Sequence, residues 1–502
     1  MMRGPARRAG LLRVGPVAGL TCGLALAALV IAGDAPARVR PDVTASAAPH
    51  AHAATGPKRP VSQLPSRVQE LPAGSTEIPI EDLEGVVLVP ALLHGSEGRD
   101  TSGWLVVDTG AGFLSLDAAV ARDLGVADAE SHPTGLELAP RALPRLELGS
   151  MQLDQLSPVL LIDARIIRAA TGRDVLGLAG QSVFAGHALW IDYATERMVC
   201  VPSPPESLAR AEATPGDGAS PTGAARPGPS ARIDTALVIR RAARSRHLLG
   251  PLLSPAARPI PFRLAGDHKI LVRARFTDVA GGSAGEWLTL VFDTGATKSC
   301  LFEPALFDHH PGSRRWKSIS GLVAPTLVGS TDARLSLVPA FELEGVELGD
   351  TVRRTRVDCA VITTELATAL TAAVGEPVVG VVGYSFFKRD RLAIDYPNLT
   401  LWLEPNPRSV DEHPYEYSHV GIQLEREGGS VRVLGIVGGS PADSAGIAVG
   451  DTLVAIGTRG ARAEELTRLT DLLEGAPGTR VRLTLRRDGV QRTYVLMRRK
   501  LL

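Results

Sequence analysis

The chain has 502 residues, 44% of them hydrophobic, and is therefore long enough to bury two or three separate cores. Its 54 basic residues are matched by 54 acidic residues, with no long basic stripe. This balance removes the electrostatic basis for nucleic-acid binding, because proteins that bind nucleic acids neutralise phosphates with clustered lysine and arginine.

The chain begins with an apolar segment behind basic residues. Four arginines lie within the first 13 residues, an apolar run follows at 14–31, and Ala-Pro-Ala stands at 35–37. This order is typical of an export signal, and about 18 apolar residues are also the lower limit for crossing a bilayer. We predict that residues 1–37 are a signal peptide or a membrane anchor. The rest of the protein would then be extracytoplasmic, either periplasmic or secreted.

Two later segments have the composition of flexible chain. Residues 38–72 are rich in Ala, Pro, His and Thr without apolar periodicity, and we interpret them as a disordered tether. The stretch 203–231 has the same character. It lies in a segment that we assign to a linker at 204–256, which divides the chain into two comparable parts.

An internal repeat relates the two parts. Three blocks recur in the same order, pairing 78–93 with 260–276, 143–163 with 338–358, and 174–200 with 377–403. Their apolar runs are short, rich in Val, Leu and Ile, and broken by Gly, Asp and Pro, which predicts strands. We predict two mainly β lobes at 73–203 and 257–405, with helices limited to candidates at 116–125 and 362–375 and a few turns.

Each lobe contains Asp-Thr-Gly-Ala directly after an apolar run, at 108–111 and at 293–296. A buried carboxylate needs hydrogen-bond donors, which a threonine hydroxyl and a tightly turning glycine backbone can supply. In a duplicated fold, a pseudo-twofold axis can bring two such carboxylates face to face. Carboxyls in contact share one proton, so that one serves as a base and the other as an acid. Such a pair can activate water against an amide carbonyl.

The paired motifs, each followed by an apolar-apolar-Gly segment at 175–177 and 378–380, resemble the retropepsin-like aspartic proteases. The resemblance covers about 75–203 and 257–404. It implies a β-barrel fold for each lobe and a catalytic dyad of Asp108 and Asp293. It also implies supporting roles for the residues that follow each aspartate, with cross-lobe bonds from the threonines and loop N–H groups from the glycines: Thr109, Gly110, Thr294 and Gly295.

Members of that family close a β-hairpin flap over the substrate. Residues 318–337 are long enough to form such a flap, whereas the equivalent stretch at 130–143 is shorter. We expect one working flap, from the second lobe.

Three other patterns could indicate a catalytic serine, a metal site or a disulfide. "GGSAG" at 281–285 fits Gly-x-Ser-x-Gly, but it leads from a Gly/Ser loop into a strand, whereas a nucleophile elbow lies between a strand and a helix. The adjacent histidines at 309 and 310 lack a third ligand at metal spacing. We therefore predict no serine mechanism and no metal or organic cofactor. Cys200, Cys300 and Cys359 are interpreted as small buried residues, with a bridge between the last two as the alternative.

Residues 415–502 form a third unit, with a predicted helix at 463–473 and a final hairpin turning at 488–489. The stretch 440–458, "SPADSAGIAVGDTLVAIGT", is similar to the core of a PDZ domain. The resemblance implies binding of protein C-termini, which add to the domain as an extra strand. It assigns a binding loop and two closing side chains, all of which could equally be core residues: Val420, Gly421, Ile422, Leu466 and Leu469.

The sequence thus predicts a mainly β chain with two retropepsin-like lobes and a small α+β PDZ domain. The function we expect is that of an exported aspartic endopeptidase acting on polypeptide substrates, with the PDZ domain capturing substrate or partner C-termini. The alternative is a non-catalytic peptide-binding protein with a degenerate protease fold and a functional PDZ domain.

Overall fold

The computed structural model describes residues 71–83, 85–129, 137–203, 235–265, 268–277, 285–326, 329–347, 349–364, 366–409, 415–427 and 429–502. The predicted export segment and most of the tether lie outside these ranges. So do residues 204–234 of the predicted linker, part of the shortened flap at 130–136, and the "GGSAG" serine at 283. The described chain is mainly β, as the sequence predicts.

The first half is built from short strands with three short helices. The described strands are β1 (Thr76–Pro79), β2 (Glu81–Leu83), β3 (Val86–His94), β4 (Asp100–Val107), β5 (Leu114–Asp117), β6 (Glu137–Leu138), β7 (Leu143–Leu148), β8 (Met151–Leu156), β9 (Val159–Ile162), β10 (Val175–Ala179), β11 (His187–Asp192) and β12 (Arg197–Pro202). The helices are α1 (Ala118–Asp123), α2 (Arg165–Thr171) and α3 (Gln181–Phe184).

The second half repeats this order, and three consecutive strands in its middle are long, with 9, 16 and 12 residues. A helix, α4 (Thr235–Leu249), precedes it. The strands are β13 (Arg258–Pro261), β14 (Arg263–Ala265), β15 (Lys269–Thr277), β16 (Leu288–Phe292), β17 (Ser299–Phe302), β18 (Ser318–Thr326), β19 (Gly329–Glu344), β20 (Thr351–Ile362), β21 (Val378–Val382), β22 (Asp390–Asp395) and β23 (Thr400–Pro405). The helices within it are α5 (Glu303–His309), α6 (Leu366–Val374) and α7 (Tyr384–Phe387).

The C-terminal unit is a small α+β module. Its strands are β24 (Ser418–His419), β25 (Ile422–Glu427), β26 (Ser430–Ile436), β27 (Thr452–Ile456), β28 (Arg459–Gly460), β29 (Arg480–Arg487), β30 (Val490–Met497) and β31 (Arg499–Lys500). Its helices are α8 (Pro441–Ser444) and α9 (Leu466–Asp471), so the second helix is shorter at both ends than the sequence predicts.

Each half has its own sheet, and both sheets place an aspartate in the same position. In the first, β10 runs parallel to β4 and antiparallel to β5. In the second, β21 runs parallel to β16 and antiparallel to β17. The strands that end at the two aspartates, β4 and β16, therefore each lie beside a parallel neighbour.

A third sheet joins the halves. Its six strands run in the order β1-β12-β11-β22-β23-β13, so each half contributes three strands. The central pairing is antiparallel and brings Leu189 opposite Ile394 and Trp190 opposite Ala393. One face of this sheet contributes to an apolar core that continues into both halves. Full burial of a side chain of Val, Leu, Ile or Phe stabilises the fold by about 1.5–3 kcal/mol.

Helix α4 covers the other face of this sheet. Its buried residues Val238, Ala242, Ser245 and Leu249 recur at helical spacing and therefore form one stripe. Within that stripe, the hydroxyl of Ser245 accepts a 2.9 Å hydrogen bond from the indole nitrogen of Trp402. This segment lies in the predicted linker at 204–256, and in the structure it is a packed helix. The predicted helices at 116–125 and 362–375 correspond to α1 and α6.

The three described cysteines are buried free thiols. Cys300 lies opposite Ala360 and Cys359 lies opposite Ser299 on the paired strands β17 and β20. The alternative of a bridge between them is therefore wrong. Burial raises the pKa of Cys200 to about 12, which keeps its thiol protonated.

None of the described helices combines the length and the apolar composition needed to cross a membrane.

Candidate active site

Asp108 and Asp293 lie at the centre of the body formed by the two halves. Each follows the last residue of its strand, and the side chain of each is fully buried. The backbone N–H of Asp108 donates to Ala179 O at 3.1 Å, and that of Asp293 donates to Val382 O at 3.0 Å. The parallel neighbour strands thus fix both loops at equivalent positions.

The threonines of the two loops bond to each other across the half–half interface. The hydroxyl of Thr109 donates to Phe292 O at 3.1 Å, and the hydroxyl of Thr294 donates to Val107 O at 2.8 Å. Each hydroxyl also accepts from the backbone N–H of the other threonine, at 3.0 and 3.2 Å. Every polar group in this exchange has a partner, which removes the penalty for burying it.

The glycines supply N–H donors to the carboxyl groups. Gly110 N–H lies 2.8 Å from Asp108 Oδ1 and 3.1 Å from Asp293 Oδ1, and Gly295 N–H lies 2.7 Å from Asp293 Oδ1. A side chain at either position would collide, because a Cβ on Gly110 would lie 2.4 Å from Asp293 Oδ2 and one on Gly295 would lie 2.7 Å from Asp108 Cγ. Each loop therefore approaches the carboxyl group of the opposite half.

The N–H of Gly110 lies within hydrogen-bonding distance of an oxygen of each carboxyl group, and the pKa values of the two groups respond differently to their surroundings. Burial raises the pKa of Asp108, while the hydrogen bond from Asp293 and the charge of Lys269 oppose the rise. Burial also raises the pKa of Asp293 well above its usual range, and both the charge of Asp108 and the shared hydrogen bond add to the rise. The pair therefore shares a proton, with Asp293 as its favoured holder.

The outer oxygens of the pair, Asp108 Oδ2 and Asp293 Oδ2, are buried without a hydrogen-bond partner among the described residues. Buried carboxylate oxygens are normally hydrogen-bonded. This arrangement can therefore accept a hydrogen-bonding group from outside the protein, such as water or a polar substrate atom.

Lys269 was not predicted as a site residue. Its ammonium group donates to the carbonyl of Gly110 at 2.7 Å, although the residue is only 2% exposed. One sequence pattern could have indicated it. A lysine begins the apolar run "KILV", at the position where the first half has "VVLV".

The predicted second-half flap is a hairpin in the structure, formed by β18 and β19. Its first strand contacts the C-terminal module. The backbone N–H and carbonyl of Val323 bond to the side-chain amide of Gln423 at 2.9 and 2.8 Å, and Gly438 N–H donates to Ser320 O at 3.2 Å. The hairpin is thus tied to that module, and closure over the aspartates stays a prediction.

The predicted peptide-binding residues of the C-terminal module lie around strand β25. Val420, Ile422 and Leu469 are buried in the apolar core of the module, and the partly buried Leu466 packs against that core. The strand bonds to β26 on one side and stands at the end of the sheet, where α9 and, from the first half, α2 lie next to it. An edge strand beside a helix is the geometry at which PDZ domains add a peptide.

One N–H of the predicted binding loop is already used within the protein. Gly421 N–H donates to His419 Nδ1 at 3.0 Å. Burial lowers the pKa of His419, against opposing charges from Glu474 and Glu416, and so favours the neutral imidazole that can accept this bond.

Comparisons with known proteins identify this module. Residues 432–487 match the family model described as PDZ domain. The carboxy-terminal processing protease CtpA of Bacillus subtilis (strain 168) is 28% identical over 99 residues, which are 20% of this chain and 21% of that protein. The chain thus spans about a fifth of the curated relative. The prediction of a C-terminal PDZ domain is confirmed.

Two solved structures are also similar. The PDZ domain of a carboxy-terminal protease from Vibrio cholerae in complex with peptide shares 20% identity, with a TM-score of 0.15, over 16% of this chain and 93% of that chain. An aspartic proteinase from Irpex lacteus shares 11% identity, with a TM-score of 0.35, over 67% of this chain and 99% of that chain. At these scores neither likeness carries an argument about function.

The comparisons contradict the prediction of an aspartic endopeptidase. The curated relative is a carboxy-terminal processing protease, and this conflicts with peptide hydrolysis by an Asp108/Asp293 dyad. The resemblance of the two lobes to retropepsins likewise receives no support. Asp108 and Asp293 form a buried pair that shares a proton.

Proposed function

We propose that this protein binds the C-terminal ends of polypeptides through its PDZ domain. The observation that carries the proposal is the family match at 432–487 together with the position of β25 at the end of its sheet, beside α9. A peptide added to this edge would gain main-chain hydrogen bonds from β25 and apolar contacts from the side chains beside it. Val420, Gly421, Ile422, Leu466 and Leu469 are the residues we propose for this contact.

We further propose that the bound polypeptide is the substrate of a peptidase reaction. Support comes from the curated relative, which is a protease. A PDZ domain that holds one end of a chain raises the effective concentration of the rest of that chain at a second site on the same protein. Asp108 and Asp293 are not assigned a role in this reaction.

A binding protein without hydrolysis is the second candidate. It is favoured by the extent of the match, because the similar segment makes up only about a fifth of the protease. On this alternative the body holds the PDZ domain in place and presents the bound polypeptide to other proteins. The extracytoplasmic location, which rests on residues 1–37, stays a prediction for both candidates.

Peptide binding can be measured on the full chain by fluorescence anisotropy. We expect a labelled peptide with an apolar C-terminal residue and a free carboxylate to bind at least about tenfold more tightly than its C-terminal amide, a difference of about 1.4 kcal/mol. Leu466→Arg removes an apolar contact of the peptide and should weaken binding of the free-carboxylate peptide at least about tenfold. Val449→Arg is a matched control, because Val449 belongs to the same module and is 64% exposed. Equal affinity for the acid and the amide would overturn the proposal.

The peptidase part needs a separate assay. Wild type and Leu466→Arg are incubated with an unfolded protein that ends in the bound sequence, and fragments are followed by mass spectrometry. Cleavage that depends on Leu466 supports the peptidase. Tight binding with no fragments from acid to neutral pH supports the binding protein.

A further inference from the structure

Lys269 breaks the symmetry of the aspartate pair. It opens strand β15 in the second half and reaches across to the first-half loop, where its ammonium group donates to Gly110 O at 2.7 Å. A buried ammonium group is costly unless charges or hydrogen bonds compensate it. Its place beside two carboxyl groups supplies that compensation.

The position equivalent to Lys269 in the first half is apolar. Leu88 lies opposite Val106, two residues before Asp108, and Leu271 lies opposite Val291, two residues before Asp293. Counting two residues back from each leucine places Val86 and Lys269 at matching sites. Val86 is 3% exposed and carries no charge. The cation is therefore present on one side of the pseudo-twofold axis, at the Asp108 loop.

The peptide unit between Gly110 and Ala111 connects this cation to one carboxyl group. Its carbonyl accepts from Lys269, and its N–H, which belongs to Ala111, donates to Asp108 Oδ1 at 3.1 Å. Hydrogen bonds at the two ends of one peptide unit polarise each other. The ammonium group thus strengthens an N–H donor that points at Asp108, in addition to acting directly through its charge.

We propose that Lys269 is a positioning residue that keeps Asp108 ionised and places the shared proton of the pair on Asp293. This inference rests on the two loops and is independent of peptide binding by the PDZ domain, so either can fail without the other. Besides the partner carboxyl group and Lys269, Tyr396 also faces the pair. Burial raises the pKa of Tyr396, as do the charges of Asp108 and Asp293, so its phenol stays neutral.

The test is a pH titration followed by NMR of the full chain with ¹³C-labelled aspartate carboxyl groups. Spectra of Asp108→Asn and Asp293→Asn assign the two signals. In the wild type we expect Asp293 to remain protonated at neutral pH while Asp108 is ionised. In Lys269→Met the apparent pKa of the first ionisation of the pair should rise by about 1–3 units, the usual effect of losing an adjacent opposite charge.

Two controls separate charge from packing. Lys269→Arg keeps the cation and should retain the wild-type titration. Val86→Met alters the equivalent site without a change of charge and should also titrate like the wild type. A folded Lys269→Met protein with an unchanged titration would overturn the proposal. If that variant does not fold, the assignment of the two carboxyl signals in the wild type still tests the proposal. A proton held by Asp108 at neutral pH is incompatible with it.

Discussion

The interface between the two halves and the interface between the second half and the PDZ domain are built differently. The half–half interface includes the paired strands β11 and β22, the hydroxyl exchange between Thr109 and Thr294, and the bond from Lys269 to Gly110. The PDZ interface contains a cluster of charged side chains. There Lys298 pairs with Asp358 at 2.8 Å and with Glu416, and the hydroxyl of Tyr417 lies 2.6 Å from Asp358 Oδ2.

The two interfaces also respond to pH with opposite sign. The raised pKa values of the aspartate pair favour the protonated state, so this pair contributes stability at low pH that is lost as the pH rises. At the PDZ interface burial alone would raise the pKa of Glu416, but Lys298 and Lys388 outweigh burial and lower it. Its contribution is present above its ordinary value of 4.5 and is lost as the pH falls below it. Ionisation of the carboxyl groups therefore weakens the half–half interface and strengthens the PDZ interface.

The largest effect is expected from Lys298→Met. The Lys298 side chain is 10% exposed and its carboxylate partners are 7% and 17% exposed, so the substitution removes the cation that these two buried carboxylates share. We expect the free energy of unfolding in urea to fall by about 3–5 kcal/mol. Lys388→Met is the matched control. That lysine is 28% exposed and lies 3.2 Å from Glu416, and its loss should cost about 0–1 kcal/mol. Equal losses for both variants would contradict a specific role for Lys298.

The second-largest effect is expected at the half–half interface. Thr294→Val removes the donor to Val107 O and the acceptor for Thr109 N–H while keeping the shape of the side chain. We expect a loss of about 1–3 kcal/mol in the free energy of unfolding, the cost of leaving a buried backbone group without its partner. Thr294→Ser keeps the hydroxyl and should retain most of that stability. A valine variant as stable as wild type would show that the exchange does not hold the halves together.

Acid should loosen the PDZ interface. As the pH falls below 4.5, protonation of Glu416 removes its attraction to Lys298 and Lys388. Protection from hydrogen exchange at Lys298 and Tyr417, corrected for the intrinsic exchange rate at each pH, should fall, and the melting temperature of the PDZ transition should fall by roughly 4–8 °C for each kcal/mol lost. Glu416→Gln should abolish the pH dependence. If the corrected protection at Lys298 and Tyr417 stays constant as the pH falls below 4.5, the charge cluster does not control the interface.

The smallest effect is expected from Asp293→Asn. Asparagine replaces the protonated member of the pair and removes like-charge repulsion, which matters most when the pH is high enough to drive ionisation of both groups. We expect a rise in melting temperature of about 1–2 °C at pH 8 and none at pH 4. A fall at pH 8 would indicate that the charge of Asp293 stabilises the fold.

Much of the fold was predictable because it is local or repeated. The helix candidates at 116–125 and 362–375 correspond to α1 and α6, and the duplicated Asp-Thr-Gly-Ala indicated two equivalent loops. Helix α4 was missed because "TALVIRRAARSRHLL" carries five charged or histidine positions, and its apolar stripe is narrow. Its partner surface is contributed by strands from both halves.

The candidate site was less predictable where its contacts lie far apart in the sequence. Lys269 reaches Gly110 across 159 residues, and no local pattern reports such a contact. The contact of the β18 hairpin with Gln423 depends on how the PDZ domain sits against the second half. The prediction of an aspartic endopeptidase was wrong for a related reason. A loop motif fixes local geometry, whereas the similarity that the comparisons support lies in the PDZ domain.

Hydrogen exchange on the full chain with a saturating free-carboxylate peptide tests the central claim most directly. If polypeptide C-termini bind at the PDZ edge, the backbone N–H groups of β25 and of Leu466–Asp471 should become protected when this peptide binds. The same peptide with an amidated C-terminus should leave their exchange unchanged. Protection confined to the loops around Asp108 and Asp293, with β25 exchanging as in the free protein, would contradict it.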